Sequence, residues 1–367
     1  MPTFHFSKPL ALALALVMAG AVLPAAAGGP VSTVVASDDP NNWFGYSIPE
    51  LDGESRVFLS GGATCSGSLL AGGQYVLTAA HCLTAVDSGA VAVSGATLFF
   101  KQGQAGALTV QASAFYVAPG WRGFNNSAGD GSDLALIKLV APVTTISGYA
   151  LSSTSELGKT FMMAGYGLSG TGATGAIDSG ARDLHYGFNV IDTTDYALQS
   201  ALYNGGYQAQ IGPLYTKLGE TYVYDFDNGQ ANQNAIQRLY GLVGISAGSN
   251  LGLGVSESMI GPGDSGGGDF VLDASGQYRI LAGVHSYGWN ICTSVANGGI
   301  DDVLANCVVA PGAFSSFGSL GGSTAVYSHL DWIQSITAVP EPQTWLAMLA
   351  GLAVIGGALR RGANTAH

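Results

Sequence analysis

Short apolar runs punctuated by glycine set the tightest limit on what this chain can fold into. SRVFLSG at 55–61, QYVLTAAHC at 74–82, DLALIKL at 133–139 and FMMAGYG at 161–167 read as strands separated by Gly-rich turns. With 55 glycines in 367 residues, helices are disfavoured as the main element. The clearest hairpin is GDFVLDASGQYRILAGV, where Asp273-Ala274-Ser275-Gly276 sits between two apolar strands. Strands this short and regularly spaced point to an all-β barrel or sandwich. Near the end SHLDWIQSI reads as one helix, with Ser328 as N-cap and Asp331 three residues on.

The two ends are of different character from this body. Lys8, an apolar run at 10–23 and the small residues Pro24-Ala25-Ala26-Ala27 read as a secretory signal peptide over 1–27. The run is shorter than the ~18–20 residues a spanning helix needs. At the other end Pro340-Glu341-Pro342 is followed by an apolar stretch at 344–359 and by Arg360-Arg361, a basic pair that favours the cytoplasmic side. In bare physical terms this is a marginal tail anchor. Its order also resembles the PEP-CTERM sorting signal of Gram-negative bacteria. That resemblance implies transient membrane anchoring by residues 339–367, recognition by an exosortase-type enzyme, and export to the cell surface or extracellular matrix.

Charged residues are 10% and apolar residues 47%, the balance of a packed globular protein. The net charge of −12 becomes more negative once Lys8, Arg360 and Arg361 are removed with the ends. A body that acidic repels phosphate backbones, which excludes a nucleic-acid partner. Four cysteines in an exported chain imply two disulfides, with three pairings open; Cys65–Cys82 and Cys292–Cys307 close the shortest loops. No C-x-x-C or H-x-x-x-H spacing points to a metal. GYGLSG at 165–170 fits a dinucleotide-binding pattern, but loop composition follows where a helix is needed. DFDNGQANQ from Asp225 resembles a calcium loop, but Gly229 falls one position early, and an Asn-Gly hairpin turn accounts for it. No cofactor is expected.

The chemistry-bearing stretch is GPGDSGGGDF at 261–270, which crowds glycines around Ser265. A serine on such a turn is either a tight bend or a nucleophile beside free backbone N–H donors. A serine hydroxyl needs a base within hydrogen-bond reach, most often histidine. Of the histidines outside the two ends (His81, His185, His285 and His329), His81 is distinguished by VLTAAHC, an apolar strand ending in small residues that leave room for the ring. Asp133 heads an apolar strand, where a carboxylate is costly to bury without a partner.

LTAAHC, DLALIKL and GDSGGG occur in the order His, Asp, Ser, which resembles the trypsin-like (chymotrypsin-fold) serine proteases. CSGSLLAGGQYVLTAAHC, AGYG, GVHSYG and AVYSHLDWI are similar to further pieces of that family, and the resemblance covers roughly 55–338. It implies two six-stranded antiparallel β-barrels with a C-terminal helix and loop insertions. It also implies a Ser265–His81–Asp133 triad, an oxyanion hole at Gly263 and Ser265, and a peptide lying along Ser286, Tyr287 and Gly288. The same resemblance supports the Cys65–Cys82 pairing. Met259, six before the serine, and Ala325 would line the specificity pocket; methionine cannot pair a Lys or Arg side chain, so an apolar or small residue is expected at the cleavage site. The family's cysteine four before the serine is replaced by Gly261, which leaves Cys292 to pair with Cys307. The family also pairs a newly cut Ile or Val N-terminus with the aspartate before the serine, here Asp264. No matching Arg-Ile or Arg-Val-Gly-Gly junction precedes the barrel, so either another protease trims the chain or side chains hold Asp264. Residues 28–54 form a lead, and the long interval before Ser265 places insertions at about 171–254. A monomer acting on proteins or peptides is expected. The rival reading is a catalytically idle, protease-shaped matrix or adhesion protein, which predicts loss of a triad member; none is lost.

Overall fold

A computed structural model describes residues 34–177, 183–290 and 315–338. The signal segment, Cys292, Cys307 and the 339–367 tail with its apolar stretch lie outside these residues. The chain divides into a body ending at Leu330 and a C-terminal unit that starts at Asp331.

The first described strand, β1 (Val34–Ala36), precedes six strands that close on one another: β2 (Glu54–Leu59), β3 (Thr64–Leu69), β4 (Tyr75–Thr78), β5 (Ala96–Phe100), β6 (Leu108–Val117) and β7 (Ala135–Leu139). Their order is β2-β3-β4-β7-β6-β5, and antiparallel pairing of β2 with β5 shuts the barrel. Period-2 burial explains the closure: in β5, Ala96, Leu98 and Phe100 are buried, while Thr97 and Phe99 between them are less so.

The rest of the body carries β8 (Ala150–Leu151), β9 (Thr160–Gly165), β10 (Ser169–Thr171), β11 (Gly175–Ile177), β12 (His185–Val190), β13 (Thr193–Thr194), β14 (Thr221–Asp225), β15 (Ser258–Met259), β16 (Gly268–Leu272), β17 (Tyr278–Asn290) and β18 (Ser319–Ala325). Eight of them form a second sheet, in the order β12-β9-β16-β17-β18-β14-β13, with β8 added in parallel to β17. The all-β, barrel-based architecture expected from the sequence is therefore present. The first barrel closes with six strands, whereas the second unit has eight strands and stays open among the described residues. A small third sheet, β11-β10-β1-β15, inserts β1 between two strands from far along the chain.

Among the described residues four α-helices accompany the body: α1 (Phe124–Ser127), α2 (Asp195–Asn204), α3 (Gln208–Ile211) and α4 (Ala235–Gly241). Strand β14 shows why α2 and α4 exist. Tyr222 and Tyr224 point to one face and join a core with Phe161, Met163, Met259 and Ala325. Val223 points to the other face and packs with Leu198, Leu202, Ile236 and Leu239 from the two helices. The Thr194 side chain caps α2 by accepting from the Ala197 N–H, which marks where strand gives way to helix. Within 171–254, then, β12 and β14 are built into the sheet and α2 and α4 cover it.

The Asp273–Gly276 turn joins β16 and β17 as expected; the Asp273 carboxylate accepts from the N–H groups of Ser275 and Gln277. Two local readings need correction. Asn228-Gly229 does not turn a hairpin, because the chain runs on from β14 into α4. Ser328 is not an N-cap: it lies in a 3₁₀ turn (Val326–His329), where its hydroxyl donates to the Ala325 carbonyl and accepts from the Glu220 N–H. The final helix, α5, spans Leu330–Thr337. No helix among the described residues is long and apolar enough to cross a membrane.

Candidate active site

Strand β4 ends at Thr78, and the chain then tightens into a 3₁₀ turn (Ala80–Cys82) that presents His81. Asp133 stands just before β7, the barrel neighbour of β4, so adjacent strands deliver both residues to one end of the barrel. The Asp133 carboxylate accepts three hydrogen bonds: the His81 backbone N–H at 2.9 Å, His81 Nδ1 at 2.7 Å and the Ser286 hydroxyl at 2.6 Å. A carboxylate that only accepts puts the imidazole proton on Nδ1 and leaves Nε2 with a lone pair. Phe124 stacks edge-on against the ring at 5.2 Å and restricts its rotation.

Ser286, expected along the substrate path, is 4% exposed and directs its hydroxyl to Asp133, which makes its side chain an additional support of the aspartate. Thr324 on β18 adds a hydrogen bond to the Asp133 carbonyl. Neither role was visible in the sequence, because a hydroxyl on a strand shows no partner until the sheets are assembled.

Ser265 is anchored from the barrel side. Its carbonyl accepts from the Ser66 N–H of β3 at 2.8 Å and lies 3.6 Å from Cys82 Sγ. Cys82 forms a disulfide with Cys65, and the same sulfur lies 3.9 Å from His81 Nε2. Ser265 and His81 are thus brought against one atom. Among the described residues no hydrogen bond joins Ser265 Oγ to His81 Nε2.

The glycines around Ser265 have individual reasons. Gly263 has φ +100°, and a Cβ there would stand 2.7 Å from Gly167 Cα. Gly266 has φ +83°, and a Cβ there would strike Thr78 Oγ1 and the Ser66 carbonyl. The turn they allow leaves the N–H groups of Gly263 and Ser265 without partners among the described residues, while the carbonyls of their own peptide units are fixed. Pro262 C=O accepts from the Leu168 N–H at 2.8 Å, and Asp264 C=O accepts from the Gly267 N–H at 2.8 Å. Because a peptide unit is planar and trans, fixing its oxygen aims its N–H. The buried Asp264 carboxylate accepts from the backbone N–H groups of Gly167 and Gly261 at 3.0 and 2.7 Å.

Met259 and Ala325 share one apolar cluster and are both fully buried. Tyr287 folds its ring over Gly322, where a Cβ would collide with it, and its hydroxyl donates to Asp195 at the start of α2. Gly288 is exposed.

Two groups have the residue types of a metal site. Cys65, His81 and Cys82 converge, but disulfide sulfurs are not thiolates and make poor ligands. Asp192, Asp225, Asp227 and Glu257 gather beside the small third sheet, but no three of their carboxylate oxygens come within 4.8 Å of one another. Burial raises all four, to about 8, 6, 9 and 7 respectively. Mutual repulsion adds to burial in Asp192, Asp227 and Glu257.

The structure is similar to that of mouse neuropsin, a serine protease expressed in the limbic system of the brain, with 15% sequence identity and a TM-score of 0.49 over 84% of this chain and all of that one. The family model described as Trypsin matches residues 45–186, which contain His81 and Asp133 and end before Ser265. Over that segment, which presents His81 and Asp133, the chain is similar to the trypsin family.

Proposed function

We propose that the protein is an exported serine endopeptidase in which Ser265, His81 and Asp133 cleave peptide bonds through an acyl-enzyme. The observation that carries this reading is the Asp133 carboxylate, which holds His81 by both its backbone N–H and Nδ1 and so leaves Nε2 as the base. Rotation of the Ser265 hydroxyl toward Nε2 starts the reaction. His81 takes the hydroxyl proton as Oγ bonds to the scissile carbonyl carbon, and the carbonyl oxygen becomes an oxyanion facing the N–H groups of Gly263 and Ser265. Collapse breaks the C–N bond, and His81 returns the proton to the leaving amine. Water, deprotonated by the same Nε2, then hydrolyses the ester.

An apolar or small residue on the acyl side of the cleaved bond fits a pocket floor made of Met259 and Ala325, neither of which can pair a cation. Export, transient anchoring and exosortase processing rest on the two end segments.

A fluorophosphonate should label the folded protein stoichiometrically at Ser265, and a peptide-library digest should show cleavage after apolar or small residues. The missing Ser265–His81 hydrogen bond favours the second reading, an idle matrix or adhesion protein. Absence of labelling in folded protein decides for that reading, and dominant cleavage after Arg refutes the pocket assignment.

A further inference from the structure

A second histidine–aspartate pair packs against the Ser265 loop. His285 on β17 is fully buried, and both ring nitrogens are engaged: Nε2 stands 2.8 Å from Asp269 Oδ1, and Nδ1 stands 3.2 Å from the carbonyl oxygen of Asp264. The backbone of His285 grips the same loop, donating to Gly267 C=O at 2.9 Å and accepting from the Gly266 N–H at 2.8 Å. Room has been left for the pair. A Cβ on Gly267 would stand 2.9 Å from His285 Nδ1, and one on Gly283 would stand 2.5 Å from Asp269 Oδ2.

We propose that His285 and Asp269 are positioning residues for the oxyanion site: His285 donates through Nδ1 to the carbonyl of Asp264 and thereby aims the N–H of Ser265. A carbonyl oxygen only accepts, so Nδ1 must carry a proton. Nε2 donates its own proton in a hydrogen bond to Asp269 Oδ1, and the ring is an imidazolium sealed between two acceptors. The Asp264 carbonyl and the Ser265 N–H belong to one planar peptide unit, so the oxygen cannot swing without swinging the donor. With the Gly267 N–H, His285 gives that oxygen two anchors.

The charged surroundings agree. Burial pulls the His285 pKa down, but Asp269, and beyond it Asp264 and Glu54, outweigh burial and raise it. Glu54, buried on β2 and bonded to the Ser68 hydroxyl, is itself pushed up to about 8 by burial.

The inference rests on the serine peptidase reading, and its tests separate the two. Removing the pair together, His285→Val with Asp269→Leu, avoids stranding one charge. The full-length double variant should fold, lose about tenfold or more in kcat and keep its KM, because substrate docks as before while the oxyanion donor drifts. His285→Gln on the Asp269→Leu background, which restores a donor, should recover part of the loss. Proton-detected NMR of ¹⁵N-histidine-labelled wild-type protein should show a proton on His285 Nδ1. A folded double variant with wild-type kcat, or a His285 ring with a bare Nδ1, overturns the proposal. Wild-type protein inert to both peptide and fluorophosphonate refutes the peptidase reading instead, and the NMR result then still decides whether His285 holds the Asp264 carbonyl.

Discussion

The hydroxyl of Ser286, on the open sheet, donates at 2.6 Å to the carboxylate of Asp133, at the end of the barrel. Asp133 thereby draws donors from both halves of the body. A hydrogen bond to a charged group is worth about 1.5–3 kcal/mol. Ser286→Ala should lower kcat about tenfold with little change in KM or Tm, read from steady-state cleavage and thermal unfolding. Unchanged kcat would mean that His81 alone orients the aspartate.

Gly263 combines a positive φ with contact against Gly167. Gly263→Ala must displace the Ser265 loop and with it one oxyanion donor. Loss of such a donor costs about 10²–10³ in rate. Peptide cleavage should fall by that order while the Cys65–Cys82 disulfide and far-UV spectrum persist.

The disulfide joins β3 to the His81 turn across a separation of 17 residues. Closing a loop of that size contributes about 3 kcal/mol in the chain-entropy account. Cys65→Ala with Cys82→Ala should lower Tm and also kcat, because the sulfur that touches both the Ser265 carbonyl and His81 is lost. Tm falling with kcat intact would make the bridge purely structural.

Stability should fall toward both ends of the pH scale, for different reasons. His185 is fully buried, and burial pushes it down to about 3, outweighing nearby backbone carbonyls. The unfolded chain binds a proton near pH 6.5 that the folded chain refuses, so stability present above that pH is lost as pH falls toward 3. The full effect is on the order of 5 kcal/mol. His185→Leu should flatten the acid limb of a Tm–pH curve. Asp192, Asp225, Asp227 and Glu257 act in the opposite sense. Their folded pKa values lie above those of the unfolded chain, so their contribution is complete below about pH 4 and is lost as pH rises through 6 to 9. Asp227→Asn should raise Tm at pH 9 by roughly 3 °C or more and change it little at pH 5. A flat wild-type curve from pH 5 to 9 would contradict this.

The candidate active-site residues were legible because their requirements are local. A strand must end in small residues to present His81, and a turn must be glycine-rich to expose the N–H groups beside Ser265. What stayed hidden depends on partners distant in sequence. GVHSYG gives no sign that His285 meets Asp269, since both simply occupy apolar-looking strands whose pairing is set by the whole sheet. Ser328 looked like a cap until the Glu220 N–H, from an inserted segment, claimed its hydroxyl. Helix α2 escaped notice because its apolar stripe is narrow, Leu198 and Leu202, and is needed only once Val223 offers a face to cover. The eight-stranded open sheet was missed for the same reason: strand number follows from pairing, not from any single run.

Val35 lies beside Met259 in the register of β1 with β15, and β10 flanks β1 on the other side. The most N-terminal described strand is therefore a wedge between β10 and β15, the second of which carries Met259, the residue proposed for the pocket floor. Trimming the chain past Ala36 would pull out that wedge and strip the Met259 ribbon of its neighbour. Two preparations identical except for their starting residue should then differ in which bonds they cut, which makes maturation and selectivity a single variable.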